Sequence, residues 1–161
     1  PILIGVSFGG IMVQEMSKLI DTKKVIIISS AKTHLEYPKR FRLIAATKVY
    51  KVVPVNLIEK IASYYIYILG KNKLKKIAAY KKYLSFRNAD YLSWAMHHVL
   101  HWKQTEVLQN ISHIHGTNDR IFPIKRIRNF KQIEDGTHTM ILTKAKKVSL
   151  EIDKILTCQY H

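Results

Sequence analysis

Cysteine is almost missing from this sequence. One thiol, Cys158, among 161 residues allows no internal disulfide and no cysteine-built metal cluster, and a reducing compartment, the cytoplasm, is the expected setting. Long apolar runs are missing too. A stretch such as "IASYYIYILG" (Ile61–Gly70) falls short of the roughly 20 residues that cross a bilayer, so no transmembrane segment is expected. Proline and glycine are sparse, at four and six, and no internal repeat or low-complexity linker interrupts the chain. Acidic residues are also few. Eleven Asp and Glu stand against 27 Lys and Arg, a formal net charge of +16, which creates a positive field that draws polyanions.

What is present suits one folded domain. Hydrophobic residues make up 47% of the chain, enough for a core at this length. Most lysines come singly or in pairs ("KNKLKK", "KKYL", "KAKK") between apolar helix positions, the pattern of a solvated helix face. No zinc finger, RNP motif or other nucleic-acid module is present.

Helical and strand patterns alternate, which points to the α/β class. Ile2–Val6 is a short apolar run with β-branched residues, as in a strand buried on both faces. After Gly9-Gly10, Met12, Met16, Leu19 and Ile20 share one helical face before Asp21-Thr22-Lys23 breaks the pattern. Val25–Ser29 is the next buried strand, completing a βαβ unit with Ser7 at the end of its first strand. From Tyr37 to Gln104 the pattern is helical, and four helices are expected there. Pro38 opens one and Pro54 a second that Gly70 closes; Asn72 caps the third and Asn88 or Asp90 the fourth. "ISHIHG" (Ile111–Gly116) then alternates as a strand, Ile127–Glu134 reads as another, and a last amphipathic helix runs from about Thr139 to Leu156. Its inward positions are Ile141, Ala145, Val148, Ile152 and Ile155.

Gly5-Val6-Ser7-Phe8-Gly9 matches G-x-S-x-G between a strand and a helix, the setting of a nucleophile elbow. The chemistry wants a serine on a tight, strained turn at the positive end of a helix. The flanking glycines are expected because side chains there would strike neighbouring backbone. On these residues the chain resembles the α/β-hydrolase family, in which serine, acid and histidine follow in that order. "HGTNDRIFP" looks like the family's acid loop and "DGTHTMIL" like its histidine loop. The resemblance implies a catalytic triad of Ser7, Asp119 and His138, with the backbone N–H of Phe8 as an oxyanion donor. It implies a small-molecule acyl substrate, an ester-like carbonyl, with no cofactor and no metal.

The resemblance covers essentially the whole chain but only the C-terminal half of the family fold. It implies a hydrolase core over residues 1–35 and 105–161 and a helical cap over 36–104, in a mostly parallel sheet with flanking helices. The chain opens with Pro1 inside what the resemblance makes the central strand. The preceding strands, and the loop that supplies the second oxyanion donor, are therefore expected to be missing from this sequence.

Each assignment has a plainer rival. For Asp119 the rival is an ordinary turn aspartate, with the strand before it and Pro123 after it favouring the acid. Asp135 lies closer to His138 in sequence but within the histidine's own loop, where it suits turn geometry. His115 is at a strand end, where the resemblance implies a structural role. His97, His98 and His101 show no carboxylate at ligand spacing and no H-E-x-x-H pattern, so they and Trp94 are expected to pack the cap or line the pocket. Tyr64, Tyr65, Tyr67, Tyr80 and Tyr83 are expected in cap packing. The alternative for the whole chain is a non-catalytic, polyanion-binding module on an old hydrolase skeleton.

The solvated-surface reading makes a prediction that contrasts with that alternative. A solvated lysine surface will bind nucleic acid weakly, with steep salt dependence and no sequence preference, because Arg40, Arg42, Arg87, Arg120, Arg126 and Arg128 are scattered rather than aimed from one element. Competition titrations of one DNA or RNA sequence against random pools measure this. A preference of about a thousandfold, typical of specific binders, would contradict it.

Overall fold

The computed structural model describes residues 1–48 and 89–157. The predicted segments at Pro54–Gly70 and after Asn72, the cap at Asn88, Arg87, the five tyrosines from Tyr64 to Tyr83 and Cys158 lie outside the described residues. The chain divides into two compact units, Pro1–Pro38 with Trp102–His161, and Lys39–His101.

The first unit is built on a parallel sheet of four strands in sequence order: β1 (Ile2–Val6), β2 (Lys24–Ile28), β3 (Ile111–Gly116) and β4 (Lys131–Ile133). Helix α1 (Phe8–Met16) connects β1 to β2 and packs on both. Val25, Ile26, Ile27 and Ile28 are buried in succession, because β2 has a strand on each side and cover on each face. On one face Ile26, Ile28, Ile114 and Ile133 meet Met140, Val148 and Ile155 from α4 (Met140–Thr143) and α5 (Ala145–Thr157). These seven residues form a buried apolar cluster, and the unit's stability draws on their removal from water.

Several predicted boundaries move. β1 is a sheet edge among the described residues, so Ile2 and Ile4 are 43% and 46% exposed rather than buried on both faces. Helix α1 stops at Met16 and turns a different side inward: Gly10, Ile11 and Gln14 are its buried residues, while Met12, Met16, Leu19 and Ile20 are exposed. Hydrogen bonding explains the exchange. The Gln14 amide donates to the carbonyls of Gly10 and Ala31 (2.9 and 3.0 Å) and accepts from Gln104 (3.0 Å), so a polar side chain occupies the core side at little cost.

β2 ends one residue early because Ser29 takes a left-handed conformation, φ 49°. The strand predicted over Ile127–Glu134 shortens to β4. Asn129, at φ 48°, breaks its first half, and the Lys32 ammonium, on the carbonyls of Arg128 and Asn129, holds that segment off the ladder. The last helix is two helices, separated at Lys144, and Ala145 faces outward while Val148 and Ile155 are buried.

In the second unit, α2 (Lys39–Thr47) follows Pro38 and packs against α3 (Ala89–His101). Trp94, His97, His98 and His101 are exposed. They stack on one another along α3, with His97 and His101 rings 4.2 Å apart and Trp94 and His98 4.6 Å apart. These residues, expected to pack the cap or line the pocket, form an exposed aromatic row on α3. Trp102 lies in the first unit, where its indole N–H donates to Glu15 at 2.7 Å.

The β1–α1 turn yields a stability prediction. A Cβ on Gly5 would fall inside the carbonyl of Gly9, whereas a Cβ on Gly9 would meet nothing within 4 Å. Only the first of the two flanking glycines is thus required by space; the second close approach belongs to Gly10, against Ser30. Gly5→Ala will cost more than about 2 kcal/mol, by overpacking. Gly9→Ala will be neutral or stabilise by about 0.5–1 kcal/mol, since it removes a helix glycine. Urea midpoints of the two variants decide this.

Candidate active site

The site begins with backbone strain. Ser7 sits between β1 and α1 at φ 54° and ψ −119°, a conformation that L-residues avoid and that surrounding contacts must hold. Its N–H donates to the carbonyl of Ile28 at 2.9 Å, and its own carbonyl accepts from Gly10 N–H (3.0 Å) and from the Ser30 hydroxyl (2.8 Å). Phe8, next in sequence, is the first residue of α1, so its N–H belongs to the helix's positive end.

Two loops complete the site. One follows β3 and carries Asp119; the other follows β4 and carries His138. Gly116 and Gly136 pass so close that a Cβ on Gly116 would fall inside the Gly136 carbonyl. Asn118 N–H donates to that same carbonyl at 2.8 Å, and Thr117 N–H to Ile133 O at 3.1 Å. Asp135 is part of this seam. At φ 53° it forms the turn, receives a hydrogen bond from Asn118 at 3.3 Å, and donates its N–H to the Thr117 hydroxyl at 2.8 Å.

Ser7, His138 and Asp119 meet as an unbroken series. Ser7 Oγ is 2.8 Å from His138 Nε2, and His138 Nδ1 is 2.9 Å from Asp119 Oδ2. The buried carboxylate uses its second oxygen to accept from the N–H groups of Ile121 (2.8 Å) and Phe122 (3.0 Å). A carboxylate only accepts, so the partners assign the proton of neutral His138 to Nδ1 and leave Nε2 as an acceptor facing the serine hydroxyl. That arrangement suits proton removal from Ser7.

Behind the series lies a second layer, of which the sequence pointed only to His115. His113 and His115 are both buried and joined, Nε2 to Nδ1, at 3.1 Å, and His115 Nε2 lies 2.9 Å from the Phe122 carbonyl. The alternation of "ISHIHG" carried the signal, since it puts both imidazoles on one face of β3. Lys32 and Glu36, also buried, form a 3.9 Å pair, and Glu36 accepts from the Lys32 N–H at 2.7 Å and the Arg128 N–H at 3.3 Å. Burial lowers the Lys32 pKa and raises that of Glu36. Spacing gave no sign of this pair, since its four-residue offset falls outside any α-helix. Among the described residues, no group of three or more His, Cys, Asp and Glu is placed to hold a metal ion.

No family model matches the sequence, and no curated protein matches it. Solved structures do match. A thermophilic esterase from Thermogutta terrifontis superposes with a TM-score of 0.64 at 14% identity, over 97% of this chain and 64% of its own. An α/β-hydrolase enzyme from a Medee basin deep-sea metagenome library gives 0.63 at 13%, over 97% and 64%. A lipase-esterase related protein from Clostridium acetobutylicum gives 0.63 at 18%, over 96% and 65%. The chain therefore spans a little under two thirds of each. Its architecture is a partial α/β-hydrolase fold, and it is related in structure to these enzymes.

The buried histidines make stability depend on pH. Burial first, then the positive charges of His115 and Lys32, push the His113 pKa well below its ordinary 6.5. Burial lowers that of His115 too, against smaller opposing effects of the Phe122 carbonyl and Asp119. The unfolded chain takes up these protons near 6.5 and the folded chain only at lower pH. Stability is then complete above about 6.5 and falls below it, by on the order of 1 kcal/mol per pH unit for each histidine. Urea midpoints at several pH values will fall on acidification, and His113→Leu will flatten the slope.

Proposed function

We propose that this chain carries the nucleophile, base and acid of a serine hydrolase acting on a carboxylic ester or similar acyl substrate. The observation that carries this reading is the series Ser7–His138–Asp119, closed by hydrogen bonds of 2.8 and 2.9 Å at a strained elbow. The esterases and the α/β-hydrolase enzyme that share the fold support the same class.

In the proposed cycle His138 Nε2 takes the hydroxyl proton as Ser7 Oγ attacks the acyl carbon. Asp119 holds the imidazole in its Nδ1–H form and stabilises the imidazolium. The alkoxide leaves with the proton from Nε2, and the acyl group stays on Ser7. Water, deprotonated by the same nitrogen, then releases the acid and regenerates the serine. The N–H of Phe8 is the proposed first donor to the oxyanion, and removal of one such donor costs about 3–4 kcal/mol in the transition state. The proposed activity belongs to the whole enzyme, of which the part described here carries the triad.

Fluorophosphonate labelling of the whole enzyme tests the nucleophile: label should appear on Ser7 and vanish in Ser7→Ala, while the chain described here alone should label weakly or not at all. Label that persists in the alanine variant removes Ser7 from the role. The acid is tested by turnover of a short p-nitrophenyl ester. Asp119→Asn should lower kcat by about ten-thousandfold, since an amide leaves His138 in the wrong tautomer. Asp135→Asn should lower it by less than about tenfold, through the turn alone. The reverse order would transfer the acid role to Asp135.

A further inference from the structure

The Phe122 carbonyl can only accept, so the 2.9 Å contact assigns a proton to His115 Nε2. A neutral His115 then has a lone pair on Nδ1, and the group facing it is His113 Nε2 at 3.1 Å. His113 must donate there, so its own proton is on Nε2. Its Nδ1 is left as a buried lone pair with no hydrogen-bond partner. Protonation of either ring creates a conflict. On His113 the new N–H has no acceptor, and on His115 it points at the N–H of His113. Lys32 adds a positive charge against His113, and the Phe130 ring, 6.3 Å from His113 and 5.9 Å from His115, adds an apolar neighbour.

We propose that His113 is a positioning residue: its Nε2–H holds His115 neutral with the proton on Nε2, and so aligns the Asp119 carboxylate with His138. Two physical effects follow. First, His115 Nε2 is 3.7 Å from Asp119 Oδ2, and a charged ring there would compete with His138 for the carboxylate. A neutral ring leaves that charge to His138. Second, His115 pins the Phe122 carbonyl while the Phe122 N–H binds Asp119 Oδ1 at 3.0 Å. A continuous hydrogen-bonded path thus runs from His113 through Phe122 and Asp119 to Ser7. The consequence at Ser7 rests on the serine-hydrolase reading; the protonation pattern of the pair does not.

Ring-nitrogen NMR of the ¹⁵N-labelled full chain tests the pattern directly. At neutral pH His115 should carry its proton on Nε2 with a hydrogen-bonded Nδ1, and it should stay neutral on acidification past the point where an ordinary imidazole charges. His113→Leu removes the donor at similar size, and His113→Gln returns an amide donor near the position of Nε2. In the leucine variant the Nδ1 hydrogen-bond shift of His115 should disappear, and fluorophosphonate labelling of Ser7 should slow by about tenfold, the worth of one buried hydrogen bond. The glutamine variant should restore both to within about threefold.

A cationic or Nδ1-protonated His115 in the unaltered chain overturns the proposal. So does a folded leucine variant that keeps the original ring signals and labelling rate, or a folded glutamine variant no better than leucine. Should leucine fail to fold, the unaltered chain and the glutamine variant still decide. Should the whole enzyme not label at Ser7, the hydrolase reading falls, and the ring spectra alone judge the role of His113.

Discussion

Everything at the site depends on parallel pairing in register. Gly5 and Val6 stand beside Ile27 and Ile28, and Ile28 beside Ile114, so β1, β2 and β3 all end at the same edge of the sheet. From that edge leave the strained turn at Ser7, the Ser29-Ser30 segment that buttresses it, and the loop that bears Asp119. Each backbone supports the next: Ser7 N–H bonds to Ile28 O, and Ser29 N–H to Ile114 O. A one-residue slip of β2 against β1 would reverse the faces of its isoleucines and misplace the turn together.

The sequence was most legible where local pattern and tertiary role coincide. "ISHIHG" alternates, and β3 spans those six residues. The elbow could be read because its strand, its serine and its helix are contiguous, although the need for glycine lay at Gly5 and Gly10 rather than Gly9. Ser7 and His138 are 131 positions apart, and only a resemblance, not periodicity, linked them. Less legible was the inner side of α1. Hydropathy favoured Met12 and Met16, but Gln14 entered instead, because the carbonyls of Gly10 and Ala31 needed a donor that no apolar side chain supplies. Likewise β4 lost its first half to Asn129 and to a lysine nearly a hundred positions away.

Polar groups occupy much of the interior near the site, and they are organised rather than tolerated. Gln14 with Gln104, and Lys32 with Glu36, join segments distant in sequence, and His113 with His115 ties β3 to the loop that follows it. Buried polar groups cost free energy unless they are satisfied, so their bonds select one loop arrangement over others of similar apolar packing. Rotation of the Asp119 loop by even a small angle would break its bonds to Ile121, Phe122 and His138 together. The reward is a carboxylate with little freedom.

The exposed margin of β1 has a different consequence, a colloidal one. Among the described residues this strand has a sheet neighbour on one side only, and Ile2, Ile4, Met12, Met16, Leu19 and Ile20 of the same βαβ unit are all exposed. Unpaired strand backbone flanked by apolar side chains is a template for another strand. Mutual repulsion of molecules carrying +16 opposes that encounter at low ionic strength. At 1 M salt the Debye length shrinks to about 3 Å, and the repulsion no longer reaches across an approaching pair. Concentrated solutions of this chain will therefore keep longest in dilute buffer, and salt, so often added to protect a basic protein, will bring it out of solution.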